Sequence, residues 1–111
     1  MLPEAAIQVV RRWAQDRTPE AFRDRTRVEV EVHPRGLTIV ECSLMPAMDG
    51  EMEWLRVPSA RLSYSSGSRK WTLYCFDSNS KVRRYPYFEP NTKVQTLLDE
   101  IDEDPTCIFW G

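Results

Sequence analysis

Between residues 69 and 87 the chain sets cations among flat rings: Arg69, Lys70, Trp71, Tyr74, Phe76, Lys81, Arg83, Arg84, Tyr85 and Tyr87. Cations neutralise phosphates and rings stack on bases, so this mixture points to single-stranded nucleic-acid binding on a sheet. Side chains alternate along a strand, which divides the set. Trp71, Leu73 and Cys75 share one face, most simply the core, and Tyr74 points the other way with Lys70 and Thr72. Arg83, Tyr85 and Tyr87 share a face whose phase against the preceding strand stays open. The candidate binding surface is therefore Arg69, Lys70, Tyr74, Lys81, Arg83, Arg84, Tyr85 and Tyr87. A plainer reading carries more weight: the rings are core, and the arginines coat its rim, where an acidic C-terminal helix could pair with them.

Other chemistry is thinner. His33, Cys42, Cys75 and Cys107 add up to a zinc-type donor set, but no two lie within four residues of each other. Cys42 sits between aliphatic neighbours and Cys75 continues the Trp71–Leu73 face, so both read as small core residues. A nucleophile–base pair would have to use the single histidine, His33, beside the Pro34-Arg35-Gly36 turn. Glu29 and Glu31 alternate with valines and read as a solvent face. No phosphate loop, nucleophile elbow or metalloprotease helix is present. No catalytic, metal or cofactor-binding residue is assigned, and no cofactor is implied. Met45, Met48 and Met52 with Trp54 suit an adaptable protein-binding surface, or a lid over one end of the sheet.

Charge is uneven. The net value is -2, yet residues 61–87 carry +5 and residues 88–111 carry -5. A mildly acidic whole favours a protein partner, or a second copy of the chain, over nucleic acid as the occupant of the basic region. A run of Asp99, Glu100, Asp102, Glu103 and Asp104 reads as a solvated helix face. The odd cysteine count and the absence of a basic, apolar leader or a ~20-residue apolar stretch point to a reduced, cytoplasmic protein off the membrane.

The elements that must position these residues follow from periodicity. Leu2, Ala6, Val9, Val10 and Trp13 make a helical stripe over residues 3–16. Thr18-Pro19-Glu20 looks like a cap and a short turn. From Thr26 the period becomes two, and Val28, Val30 and Val32 define a strand. After the Pro34-Arg35-Gly36 turn come a strand at 37–44, a loop from Met45 to Glu53, and strands at 57–65, 69–76 and 81–87. Thr92 and Gln95 predict a capping box, and Val94, Leu97, Leu98 and Ile101 a second helix, stopped at Asp104-Pro105. The tail, Cys107 to Gly111, is too apolar to dangle and is expected on the core as an edge strand. With 111 residues and 41% of them apolar, the expectation is one α+β domain: an N-terminal helix, a five-stranded antiparallel meander, a C-terminal helix and an apolar tail.

Several strings also resemble an uncharacterised bacterial family known as domain of unknown function three thousand and twenty-four. They are Ala60-Arg61-Leu62, Tyr64, Trp71-Thr72-Leu73-Tyr74, Arg84-Tyr85, and above all Leu97 through Thr106 with Phe109-Trp110-Gly111. Arg17, Pro19 and Arg23 are similar too. The resemblance spans nearly the whole chain and implies a stand-alone small protein; it carries no activity, ligand or catalytic residue. Met45-Pro46-Ala47-Met48 and Cys75 depart from the family's pattern. Three functions are thus carried forward. The first is a non-enzymatic module that binds protein partners or itself. The second is single-stranded nucleic-acid binding through the hairpin at 69–87. The third is a small enzyme or metal protein using His33 and the cysteines.

Overall fold

A computed structural model describes residues 2–110. Helix α1 (Glu4–Asp16) opens after Pro3 and buries Ile7, Val10, Trp13 and Ala14. The apolar stripe therefore runs through Ile7, and Val9 is turned to solvent. Five strands follow: β1 (Thr26–His33), β2 (Gly36–Pro46), β3 (Met52–Ser65), β4 (Lys70–Phe76) and β5 (Val82–Arg84). They pair in sequence order, each antiparallel to the next, as short turns favour. Helix α2 (Val94–Glu103) then joins α1 on one face of the sheet.

That covered face holds the core. Leu37 and Ile39 of β2, Ala60 and Leu62 of β3, and Trp71, Leu73 and Cys75 of β4 meet the apolar faces of both helices. Cross-strand partners share a face, so Leu37 opposite Leu62 and Leu62 opposite Leu73 lay a continuous apolar band. Gly36 is required by close approach: a Cβ there would lie 2.4 Å from the Leu62 carbonyl oxygen.

The α+β meander expected from periodicity is the one found; its boundaries differ in informative ways. The 45–53 loop shrinks to five residues, because β2 and β3 keep pairing out to Pro46 opposite Met52. Gly50, at φ 86°, makes the reversal. A bulge between Ile39 and Val40 inserts Ser59 into β3 and re-phases the far half. Beyond it β2 and β3 form an arm that runs on past the end of β4, in a molecule of extents 49 × 27 × 25 Å. Strand β5 keeps only three residues; Tyr85 follows it with its N–H still bonded to the Leu73 carbonyl and its ring buried on the core side.

Two caps and the tail also differ from expectation. The Thr92–Gln95 capping box does not form: Lys93 is the N-cap of α2, without a side-chain cap bond. Asn91 Oδ1 instead accepts the Lys93 N–H at 2.8 Å. Thr18 is no cap either; its hydroxyl accepts the Val28 N–H at 3.0 Å and is buried. The tail packs on the core as expected, but as an irregular segment rather than an edge strand. Asp104 holds it by accepting the N–H groups of Phe109 and Trp110. Phe109 is buried; Gly111 lies outside the described residues.

Candidate functional site

No described helix lies over the second face of the sheet, and register assigns its residues. Row by row it carries Arg27, Cys42 and Arg56; then Glu31, Thr38, Arg61, Tyr74 and Arg84. Lys70, Thr72 and Phe76 share the side of Tyr74, by alternation along β4.

The β1–β3 half of this face neutralises itself. Arg56 bridges Glu29 and Glu31, and Arg27 lies 3.1 Å from Glu29 while stacking over Trp54 at 4.0 Å. The Arg56 bond holds the Glu29 carboxyl below its ordinary value and raises the Arg56 guanidinium further. Beneath them Cys42 is buried, and desolvation pushes its thiol up. His33 Nε2 lies 3.0 Å from the Thr38 hydroxyl. In the β3–β5 half, no carboxylate lies within 4.0 Å of Arg61, Lys70 or Arg84 among the described residues.

The hairpin set predicted from sequence divides accordingly. Lys70, Tyr74 and Arg84 do share the open face. Arg69 is in the β3–β4 turn at φ 58°, and Lys81 precedes β5. Arg83 faces the other way, opposite Cys75, and donates to Asp77 at 2.9 Å. Asp77 is held below its ordinary value, first by the Lys81 backbone N–H and then by Arg83. Tyr85 corrects the prediction outright. It is buried, its hydroxyl donates to Glu100 at 2.8 Å, and burial with that carboxylate pushes the phenol up to about 12. Tyr87 is exposed and meets Tyr85 edge-on at 5.5 Å. Arg61 was missed because it precedes the hairpin; counting back from the 66–69 turn would have set it opposite Tyr74.

The acidic run is less idle than a solvated face. Glu100 takes the Tyr85 hydroxyl, and Asp102 accepts from Trp13 Nε1 at 3.1 Å and from Arg17 Nε at 2.7 Å. Burial pulls Arg17 below the ordinary guanidinium value. These acids lie across the sheet from Arg61 and Arg84, so they do not shield them.

The arm supplies the second surface. Strand β4 reaches β3 only from Ala60 onward, so residues 52–59 have, among the described residues, a neighbouring strand on one side alone. Leu55 and Val57, on the covered-face side, are 51% and 45% exposed, and Met52 is 56% exposed. Hydrogen bonding alternates along an antiparallel ladder. The Ala47 N–H bonds to Glu51, and Leu44 donates outward to Arg25. Residues 53, 55 and 57 therefore bond to β2, and Met52, Trp54 and Arg56 turn their N–H and C=O groups to the free side. Pro58 is the next outward position and offers a carbonyl alone.

His33, Cys42 and Cys75 are not brought together. His33 and Cys42 lie on the open face, separated along it, and Cys75 is in the core with its thiol raised by burial. No group of three His, Cys, Asp or Glu able to hold a metal occurs among the described residues. A cleft of about 360 Å³ between the end of α1 and the tail is lined by Arg17, Thr18, Glu41 and Trp110. Of its polar side chains, Arg17, Thr18 and Glu41 are engaged with Asp102, the Val28 N–H and Ser59. No described helix is long and apolar enough to cross a membrane.

The family model for the domain of unknown function DUF3024 matches residues 2–111. The chain belongs to the DUF3024 family. No curated protein and no solved structure matches it. The match takes in the arm, both helices and the Asp104-clamped tail, so the DUF3024 domain here is the whole α+β unit.

Proposed function

We propose that this DUF3024 domain is a non-enzymatic interaction module that pairs with a second copy of itself along the free edge of β3. The observation that carries this reading is the unpaired stretch from Met52 to Pro58, with Leu55 and Val57 exposed beside it. An open edge with apolar flanks is a template for strand addition.

A second copy fits because the edge is self-complementary. An antiparallel twofold through Leu55 sets Trp54 opposite Arg56 of the other copy and Met52 opposite its Pro58. The outward N–H groups of Met52, Trp54 and Arg56 then each meet a carbonyl. Proline falls at the end of the pairing, where its missing N–H costs least. Leu55 meets its own copy on the covered-face side, flanked by Val57. Arg56 approaches without strong repulsion, since Glu29 and Glu31 already compensate it. An interface this short sits at or below the ~1,200 Å² end of the specific range, so the dimer is weak and concentration-dependent.

Sedimentation equilibrium tests this. The expected result is a mass that rises from monomer towards dimer with concentration, and a strict monomer for Leu55→Lys. The half-exposed Leu55 leaves the fold intact in that variant, which its melting curve checks. A wild-type chain that stays monomeric at high concentration overturns the proposal, and equal association by Leu55→Lys moves the interface off this edge.

A further inference from the structure

We propose that the open face of β3–β5 binds single-stranded nucleic acid, with Arg61, Arg84 and Lys70 on the phosphates and Tyr74 under a base. Tyr74 stands between Arg61 and Arg84 on three consecutive strands. Strand spacing sets the two arginines roughly 10 Å apart, with the ring midway. Lys70 extends the row along β4.

Charge complementarity selects the ligand. On the same face Arg27 and Arg56 have carboxylate partners, whereas Arg61, Lys70 and Arg84 have none within 4.0 Å among the described residues. The acids of α2 are on the far side of the sheet, two of them engaged with Tyr85, Trp13 and Arg17. The net charge of -2 thus conceals a region of single positive sign. The surface is an open sheet, which suits a chain lying across it and stacking on it more than an enclosed small molecule. Cations spaced about an aromatic ring match a polyanion that carries flat groups; an acidic peptide would leave the ring without a stacking partner. The site is distinct from the β3 edge at residues 52–58 and does not depend on self-association.

Fluorescence anisotropy of labelled single-stranded RNA and DNA, about 12 nucleotides long, tests it across a salt series. Three phosphate contacts predict a log–log salt slope near -2. Arg61→Ala/Arg84→Ala should lower affinity at least tenfold and flatten the slope, and Tyr74→Ala should lower affinity about tenfold with the slope unchanged. Arg84→Glu, at an exposed position, repeats the loss without touching a half-buried side chain. Arg83→Ala, on the opposite side, should bind as wild type. No binding at low salt overturns the proposal. Equal loss in Arg83→Ala moves the site elsewhere. Polyglutamate competing as well as RNA, with Tyr74→Ala silent, rejects nucleic acid as the ligand.

Discussion

Replacing Asp104 by alanine should undock the C-terminal tail. Asp104 ends α2 in the left-handed region, at φ 42° and ψ 56°, with its own N–H bonded to Glu100. Its carboxylate accepts the N–H groups of Phe109 at 3.0 Å and Trp110 at 2.9 Å. That clamp seats Phe109 against Tyr85, at 5.0 Å between ring centroids, and Trp110 over Trp13, at 6.1 Å. Trp110 Nε1 adds a bond to the Ile101 carbonyl. A bond to a charged acceptor contributes about 1.5 kcal/mol at the lower end, suited to a half-exposed carboxylate. Two such bonds lost, less what water restores, plus ~1 kcal/mol for alanine in the left-handed region, give a loss of about 3 kcal/mol. For a domain of this size that is a melting-point drop of about 15 °C. Asp104→Asn keeps an acceptor oxygen and tolerates the backbone, so it should lose about half as much. Asp104→Gly relieves the backbone but keeps no acceptor, and should fall between them. Urea and thermal unfolding followed by tryptophan fluorescence and circular dichroism measure the series. An alanine variant melting with the parent, or a glycine variant as stable as the parent, would refute the carboxylate clamp.

Three further outcomes follow from the core and its polar partners. Tyr85 has a folded value near 12 against an ordinary phenol value of 10. Its contribution is therefore complete below pH 10 and is lost as pH rises towards 12, by at most about 3 kcal/mol. Urea midpoints across that window should converge for wild type and Tyr85→Phe; parallel curves would contradict the assignment. Gly36→Ala drives a Cβ to within 2.4 Å of the Leu62 carbonyl oxygen, and should cost roughly 2–4 kcal/mol in equilibrium unfolding; a cost under about 0.5 kcal/mol would show that the strands can separate there. Of the three thiols, Cys107 is exposed and Cys42 and Cys75 are buried, so a thiol reagent should titrate one cysteine in the native protein and the others only on unfolding. Reaction of Cys42 at the native rate would contradict its cover by Arg56.

The meander was legible because Val28, Val30 and Val32, and then Trp71, Leu73 and Cys75, alternate against polar neighbours. The arm was not. From Met52 to Pro58 both faces are partly exposed, so apolar and polar residues do not alternate cleanly; Asp49-Gly50 carried the expected loop to Glu53 and the strand was expected only from Val57. The open surface was half legible. Period two set Lys70 beside Tyr74 but left the phase of the next strand open; pairing puts Arg84 with Tyr74, and Arg83 and Tyr85 on the Cys75 side, which buries the Tyr85 ring. The contacts of Asp102 with Trp13, 89 positions apart, depend on how α1 and α2 dock, which no local pattern reports.

The most direct test of the edge-pairing account is amide hydrogen exchange at Met52, Trp54 and Arg56, resolved by NMR and repeated over a range of protein concentration. These N–H groups point away from β2, so they should exchange freely in dilute solution and become protected as the dimer fills, together and only in chains that retain Leu55. Fast exchange at all three positions under conditions where sedimentation finds dimer would contradict the account and place the interface on another surface.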